Sequence, residues 1–482
     1  MPTQALFNNF APQTLGSFIA DEIAGTNADP AAMAAAGAAP FVSGSAAVVG
    51  TGAAAGPGTE VVSLGFWIVD KTIRAFTDDL RFSRTLFPGN SATLGGYFAS
   101  YSSDDTWYLG NDELMTAAPN ARLIDVSLYT AAGSRGPVAQ VTQNGILSGA
   151  FYALVDRFDG RNAAIFFSDQ WRIGRWRLDA EYRAENEVID GIVEGTSMMD
   201  LDANPLTLYN NDTDVTNGEW QPAAYDHTLG SWSAGVNYEI NRHMSVYGRI
   251  NGGIHFPSFD DLRDGAPASQ EIENYQLGYK VQTDLLYVSI DAFHRLFRGV
   301  PFQAFLGNGT QVTANFGARS WGMDFQADWF PMERLSVGLT GDWQHSVYTH
   351  FSSFAGLGEG GFDNDGNILQ RQPSLQVRFT PEYTMPMPWG ELKAFATVSY
   401  VDLRYSDPEN TQVLPSYTTL DAGLVGDIGP HLEARLQGTN LTNEVGLTEG
   451  NSRSLTSGIS TGVEMARPIF GREVQAQLKY SF

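Results

Sequence analysis

The chain of 482 residues contains no cysteine, which excludes disulfide scaffolds, cysteine metal sites and thiol catalysis. Basic residues are scarce as well. The 29 Lys and Arg stand against 54 Asp and Glu, a formal charge of −25, so the chain repels nucleic-acid phosphate instead of displacing its counterions. Charged residues of both signs reach only 17%, below the roughly 25% usual in soluble domains. No apolar run attains the roughly 18 residues of a membrane helix, so a membrane location has to be reached with strands. Before Lys71 there is no basic residue. A secretory signal needs a basic region ahead of its apolar stretch, so Met1 to Asp70 reads as neither signal nor transit peptide.

What is abundant is glycine, with 51 residues, and aromatic side chains, at 12%. From about Thr72 onward the apolar residues recur with period two, the pattern of half-buried strands. Leu335, Val337, Leu339, Trp343 and Val347 alternate with Ser336, Gly338, Thr340, Asp342 and Gln344. Leu375, Val377, Phe379, Pro381 and Tyr383 alternate with Gln376, Arg378, Thr380, Glu382 and Thr384. Periodicity alone fits a soluble sandwich as well as a membrane barrel. Connection lengths decide between them. Short ones (Asn241 to His243, Thr283 to Leu285, Pro331 to Arg334, Pro386 to Gly390, Gly429 to Pro430) alternate with long ones (Pro257 to Gln270, Arg298 to Gln311, Thr349 to Pro373, Asp407 to Ser416, Gly446 to Arg467). Short periplasmic turns and long extracellular loops belong to an all-β fold, the transmembrane antiparallel β-barrel. The pattern yields about 17–18 strands of about 10 to 14 residues, long enough to cross the outer membrane at a tilt. Aromatics near strand ends (Tyr238, Trp329, Phe330, Tyr383, Trp389, Tyr480, Phe482) fit an interfacial girdle. Residues 1–59 read as an Ala/Gly-rich extracellular loop region or disordered N-terminal segment, and Ala31 to Gly58, broken by Pro40, Pro57 and glycines, as a loop rather than a helix. Residues 60–482 are the barrel.

Three stretches carry a family likeness. GGIHFPSFDDL (Gly252 to Leu262), GTNLTNEVGLTEGNSR (Gly438 to Arg453) and RPIFGREVQAQLKYSF (Arg467 to Phe482) resemble segments of TonB-dependent outer-membrane receptors, in the right order and strand phase. The resemblance implies a barrel of 22-strand type and energy-coupled uptake of a scarce nutrient such as a siderophore. It implies outer-membrane localisation and four kinds of partner: outer-membrane lipid and lipopolysaccharide, TonB through a plug domain, the outer-membrane barrel assembly machinery, and a small-molecule ligand. Nothing before Thr72 resembles a plug, so the chain reads as the C-terminal portion of such a receptor, or as a barrel completed by another polypeptide. A passive diffusion porin, or a non-functional receptor fragment lacking the plug, is the alternative. Val474, Leu478, Tyr480 and Phe482 match the family's closing strand and its assembly signal.

No catalytic constellation emerges, so the chain reads as a non-enzyme without cofactors. Gly458 to Gly462 (GISTG) lacks the strand and helix of a nucleophile elbow, and Gly356 to Gly361 (GLGEGG) lacks the helix that would hold a pyrophosphate. Asp363, Asp365 and Asn367 have calcium-loop spacing, although Ser374 stands where the bidentate Glu belongs. For ligand capture the candidates are Trp107, Tyr108, Trp220, Phe259, Asp260, Arg263, Phe302 and Phe305 on the long-loop rim. Their rings supply contact area and Arg263 pairs with an anionic group.

Overall fold

The computed structural model describes residues 3–8, 12–265, 269–305, 311–351, 363–450 and 466–482. Among these residues, eighteen strands are hydrogen-bonded into one sheet. Among the described residues no helix is long and apolar enough to cross a membrane. The chain divides into two compact units, one of Met1–Thr77, Ala99–Arg161 and Val188–Asp226, the other of Asp78–Phe98, Asn162–Glu187 and His227–Phe482.

The second unit is built on an antiparallel run in sequence order. Met244–His255, Gln270–Gln282, Leu286–Phe305, Gln311–Met332, Leu335–Thr349, Leu375–Met387 and Gly390–Val401 each pair with the next, and Tyr417–Ile428, Leu432–Thr439 and Glu473–Tyr480 continue it. All five expected short turns lie between these strands or at the end of Thr213–Asn241, which opens the run. Because successive side chains leave opposite faces of a strand, the register lines up rows. One row joins Val236, Gly248, Leu277, Ala292, Met323, Trp343 and Leu375, apolar throughout. Its neighbour on the other face holds Gly278, Asp291, Asp324, Asp342 and Gln376. The apolar row is the exposed one: Leu277 is 63% exposed and Trp343 40%.

Aromatics mark both edges of this apolar face. Trp329, Phe330, Tyr383, Trp389 and Tyr480 are exposed at the short-turn ends. Trp321 and Trp343 pack edge-on at 5.1 Å. Trp321 and Trp329 are eight positions apart on one strand, about 26 Å of extended chain, which at the usual tilt of about 35–45° covers about 20 Å of the roughly 25 Å apolar band of membrane barrels.

Several strands exceed the expected length, such as Thr213–Asn241 with 29 residues and Glu60–Arg84 with 25. The expected loop Arg298 to Gln311 is therefore mostly strand. The ladder shifts register between Phe297 and Val300, with Gly299 at φ 68°, and then continues to Phe305↔Gln311. A bulge of this kind absorbs one misfit without ending the pairing.

The first unit contains a small α/β module. Helix Leu15–Ala28 starts at Thr14, whose hydroxyl accepts from the Ser17 amide at 3.3 Å. The next helix, Pro30–Ala35, starts at Asp29, whose carboxylate accepts from the Ala31 amide at 2.8 Å. Three strands, Phe41–Val48, Ile124–Thr130 and Val138–Gln140, pair antiparallel beside them. Asn27 bonds both ways to the Phe41 backbone, at 2.9 and 2.8 Å. The core of Leu15, Phe41, Leu114, Ile124, Val126 and Leu128 is fully buried. The reading of Ala31 to Gly58 as a loop is thus corrected to a helix end and a strand. A proline is tolerated in the first helical turn, alanine is the best helix former, and Phe41 has a core to fill.

Candidate functional site

At the long-loop ends of the second unit, four rings converge. Phe316 lies 5.0 Å from Tyr348 and 5.3 Å from Phe351, and Phe302 lies 5.1 Å from Phe351. Three successive residues, Ser346, Val347 and Tyr348, are buried, so alternation ends here because both faces are covered. The covering loops interlock through backbone mimicry. Asn410 accepts from the Ile368 amide at 2.7 Å and donates to its carbonyl at 2.8 Å, and Asn367 donates to the Pro408 carbonyl at 3.0 Å. Buried Asp407 accepts from the Thr411 amide and hydroxyl and from the Gln412 amide. Buried Arg404 donates to the Leu447 carbonyl, and Arg371 meets Glu449 at 3.0 Å.

Charge within this cluster is graded. Burial, then the neighbouring Asp407, pushes the Glu409 carboxyl above its usual range. The Ser374 hydroxyl hydrogen-bonded to Asp402 at 2.5 Å holds that carboxyl below its usual range. Tyr348 and Phe351 are buried, so the rings are the footing on which the interlocked loops stand, and the carboxyls are polar groups of those loops.

The polar face of the same unit holds a recess of about 650 Å³. Arg81 and Arg183 both approach the Phe166 ring, at 5.6 and 5.8 Å. Each guanidinium has a carboxylate: Arg81 with Asp79, Arg183 with Glu185, and Arg249 with Asp179 at 2.8 Å. The recess is therefore amphoteric, able to meet both charges of a polar solute.

Of the expected ligand residues, Trp107, Tyr108 and Trp220 belong to the first unit and Phe259, Asp260, Arg263, Phe302 and Phe305 to the second. In the first unit Trp107 shares a strand face with Asp105 and Lys71, the ammonium lying 5.9 Å from the ring and 2.7 Å from the carboxylate. Trp220 sits under Arg157, which also reaches Asp104; Asp104 and Asp105 are neighbours on one strand, so the two tryptophans serve opposite faces. Tyr108 is exposed, one position on from Trp107. In the second unit Phe259, Asp260 and Arg263 lie on the short helix Phe259–Arg263, opened by a Ser258–Asp261 capping box. Arg263 is turned onto Asp260 and Asp264, at 2.9 and 3.0 Å. Phe302 joins the aromatic cluster, while the Phe305 side chain lies outside the described residues, as do GLGEGG and GISTG.

Asp363 accepts from the Asp365 amide and Asp365 from the Phe351 amide, so this stretch is a hydrogen-bonded turn. Among the described residues no group of three or more His, Asp or Glu is placed to hold a metal ion. Sequence reading missed Phe316, Tyr348 and Phe351, signalled only by aromatics crowding the start of a long loop. It missed the recess too, although Asp79-x-Arg81 and Arg183-x-Glu185 are same-face pairs legible at a spacing of two.

The sequence matches the family described as TonB dependent receptor-like, beta-barrel, over residues 49–441. A comparison with curated proteins finds no match. Solved structures share the fold. The ferric yersiniabactin uptake receptor of Yersinia pestis is 14% identical, with a TM-score of 0.54 over 88% of this chain and 61% of that one. The siderophore receptor of Acinetobacter baumannii is 13% identical, with a TM-score of 0.56 over 88% and 72%. The ferric citrate transporter in its unliganded form is 12% identical, with a TM-score of 0.60 over 88% and 59%. The chain thus spans less than two thirds of the length of the first and third. The fold class is all-β, a transmembrane antiparallel β-barrel, and its exposed apolar row is the lipid-facing one. With more than three quarters of its length matched, the chain belongs to the TonB-dependent receptor β-barrel family.

Proposed function

We propose that this chain supplies the wall and outer loops of an outer-membrane receptor for energy-coupled uptake of a scarce nutrient such as a siderophore, with no catalytic role. The carrying observation is the interlocked loop cluster around Phe316, Tyr348 and Phe351, set on strands that are apolar on one face and charged on the other. Loops on a rigid scaffold are where binding concentrates. On this reading the small-molecule ligand meets the loops, and coupling to TonB runs through a plug domain. On the same reading, residues 1–59 contribute to the extracellular surface through the small module they share with Ile124–Thr130 and Val138–Gln140, and the rest of residues 60–482 is the barrel. Outer-membrane lipid and lipopolysaccharide surround it, and Val474, Leu478, Tyr480 and Phe482 present the signal to the assembly machinery.

The test is growth of an outer-membrane producer strain with ferric siderophores as sole iron source. TonB-dependent growth that requires this chain and falls with Tyr348→Ala supports the reading. TonB-independent solute entry with steady single-channel conductance replaces it with a porin.

A further inference from the structure

The short turns of the second unit differ in charge. Within three residues of the first three, at 85–89, 174–175 and 242–243, stand five arginines and one glutamate. Around the next four, at 283–285, 333–334, 388–389 and 429–431, stand two cations and five carboxylates. In a chain of net charge −25 the first three turns run against the background, and such a local excess attracts anions.

These three turns form one patch. The Arg172 amide donates to the Gly89 carbonyl at 2.7 Å, which ties the first turn to the second. The Arg175 guanidinium donates to the Ile240 carbonyl at 2.9 Å, and the Arg175 carbonyl accepts from the Glu239 amide at 2.8 Å, so the second is tied to the third. Glu239 is already matched by Arg177 at 2.5 Å. Arg84, Arg172 and Arg242 are exposed, and among the described residues none of the three meets a carboxylate.

The cations lie where the apolar face ends. Phe82 is 69% exposed, Leu86 62% and Ile173 60%, and Trp176 packs on Tyr238 at 4.5 Å. Arg84 follows Phe82 on the same face of its strand, two positions nearer the turn. Apolar side chains followed by guanidinium groups repeat the order in which a bilayer presents acyl chain and phosphate. An acidic soluble protein would meet the arginines and leave these apolar side chains uncovered.

We propose that the first three short turns are a docking surface for the headgroups of anionic phospholipid in the leaflet at this rim, with phosphate oxygens meeting Arg84, Arg172 and Arg242. This rests on the membrane reading proposed above, under which lipopolysaccharide belongs to the opposite, long-loop rim.

Native mass spectrometry of the detergent-solubilised chain reads retention of dimyristoyl-phosphatidylglycerol against the phosphatidylethanolamine of the same chains. Wild type is expected to favour phosphatidylglycerol. Each of Arg84→Gln, Arg172→Gln and Arg242→Gln lowers that preference about fivefold, the equivalent of about 1 kcal/mol per arginine at an anionic surface, and the triple variant abolishes it. Arg319→Gln removes an exposed arginine near the long loops and leaves the preference unchanged. Raising ammonium acetate about tenfold weakens the wild-type preference by screening, a readout that needs no variant. No preference in wild type, an unchanged preference in the triple variant, or an equal loss in Arg319→Gln overturns the site. Polyglutamate held through the same three arginines, with no lipid preference, replaces the lipid with an acidic protein. A chain that stays folded in water without detergent overturns the membrane reading itself, a separate outcome.

Discussion

The small module of the first unit and the antiparallel run of the second spend the same side chains in opposite ways. Leu128 and Ile124 are 0% exposed inside the module, whereas Leu277 is 63% exposed and Trp321 43% on the run. Both patterns alternate with period two: the module strand Ile124–Thr130 reads buried and half-buried in turn. What differs is the medium on the apolar side, protein in one and lipid in the other. An exposed apolar face of this extent is a liability in water and a requirement in a bilayer.

Four substitutions break or sharpen that contrast. Leu128→Ala opens a cavity in a closed core and is expected to cost about 2–5 kcal/mol, seen as lower denaturant resistance of the module in limited proteolysis. Leu277→Ala leaves no such cavity and stays near zero in the same assay. Leu277→Arg reverses the order of sensitivity: in lipid vesicles it costs ~2–4 kcal/mol if the position lies near mid-bilayer, measured by reversible urea unfolding. A cost below about 0.5 kcal/mol, the soluble-surface value, would erase the distinction. Asp29→Ala removes a helix cap from the module, with an expected loss of ~1 kcal/mol, read as earlier thermal loss of helical circular dichroism.

The smallest effect concerns the loop cluster. Burial and Asp407 raise the Glu409 carboxyl above its ordinary value, so the folded loops bind its proton more tightly than the unfolded chain does. The stabilisation is complete below that value and is lost as pH rises through the raised one. Glu409→Gln therefore protects the loops from protease at neutral pH and does nothing at acid pH. A benefit confined to acid conditions would contradict the burial of that carboxyl.

Legibility in the sequence tracks how local the cause is. The five short turns were readable because each interrupts an alternating run with residues such as Asn241, Pro388 and Gly429. The module was not readable, since its helices are held by partners far along the chain: Asn27 by Phe41, and Leu15 by strands beyond residue 110. The ladder past Gly299 was hidden because a bulge looks like a loop start in one dimension. The eight ligand candidates combine residue type with a place on the long-loop rim, and neither says which face of a strand a side chain takes. Trp107 and Trp220 point away from each other because strand parity, not proximity to a loop, sets their direction.

Asp291, Asp324 and Asp342 stand directly opposite one another on three adjacent strands, at a spacing of roughly 4.8 Å. That is shorter than the Debye length of about 8 Å in physiological salt, so mobile ions outside the row do little to relieve the repulsion. Removing such carboxylates from water costs several kcal/mol apiece. Arg295 reaches the middle carboxylate at 3.7 Å and lies 3.9 Å over the Phe293 ring, so this side of the sheet would offer a solute charge of both signs beside an aromatic plane.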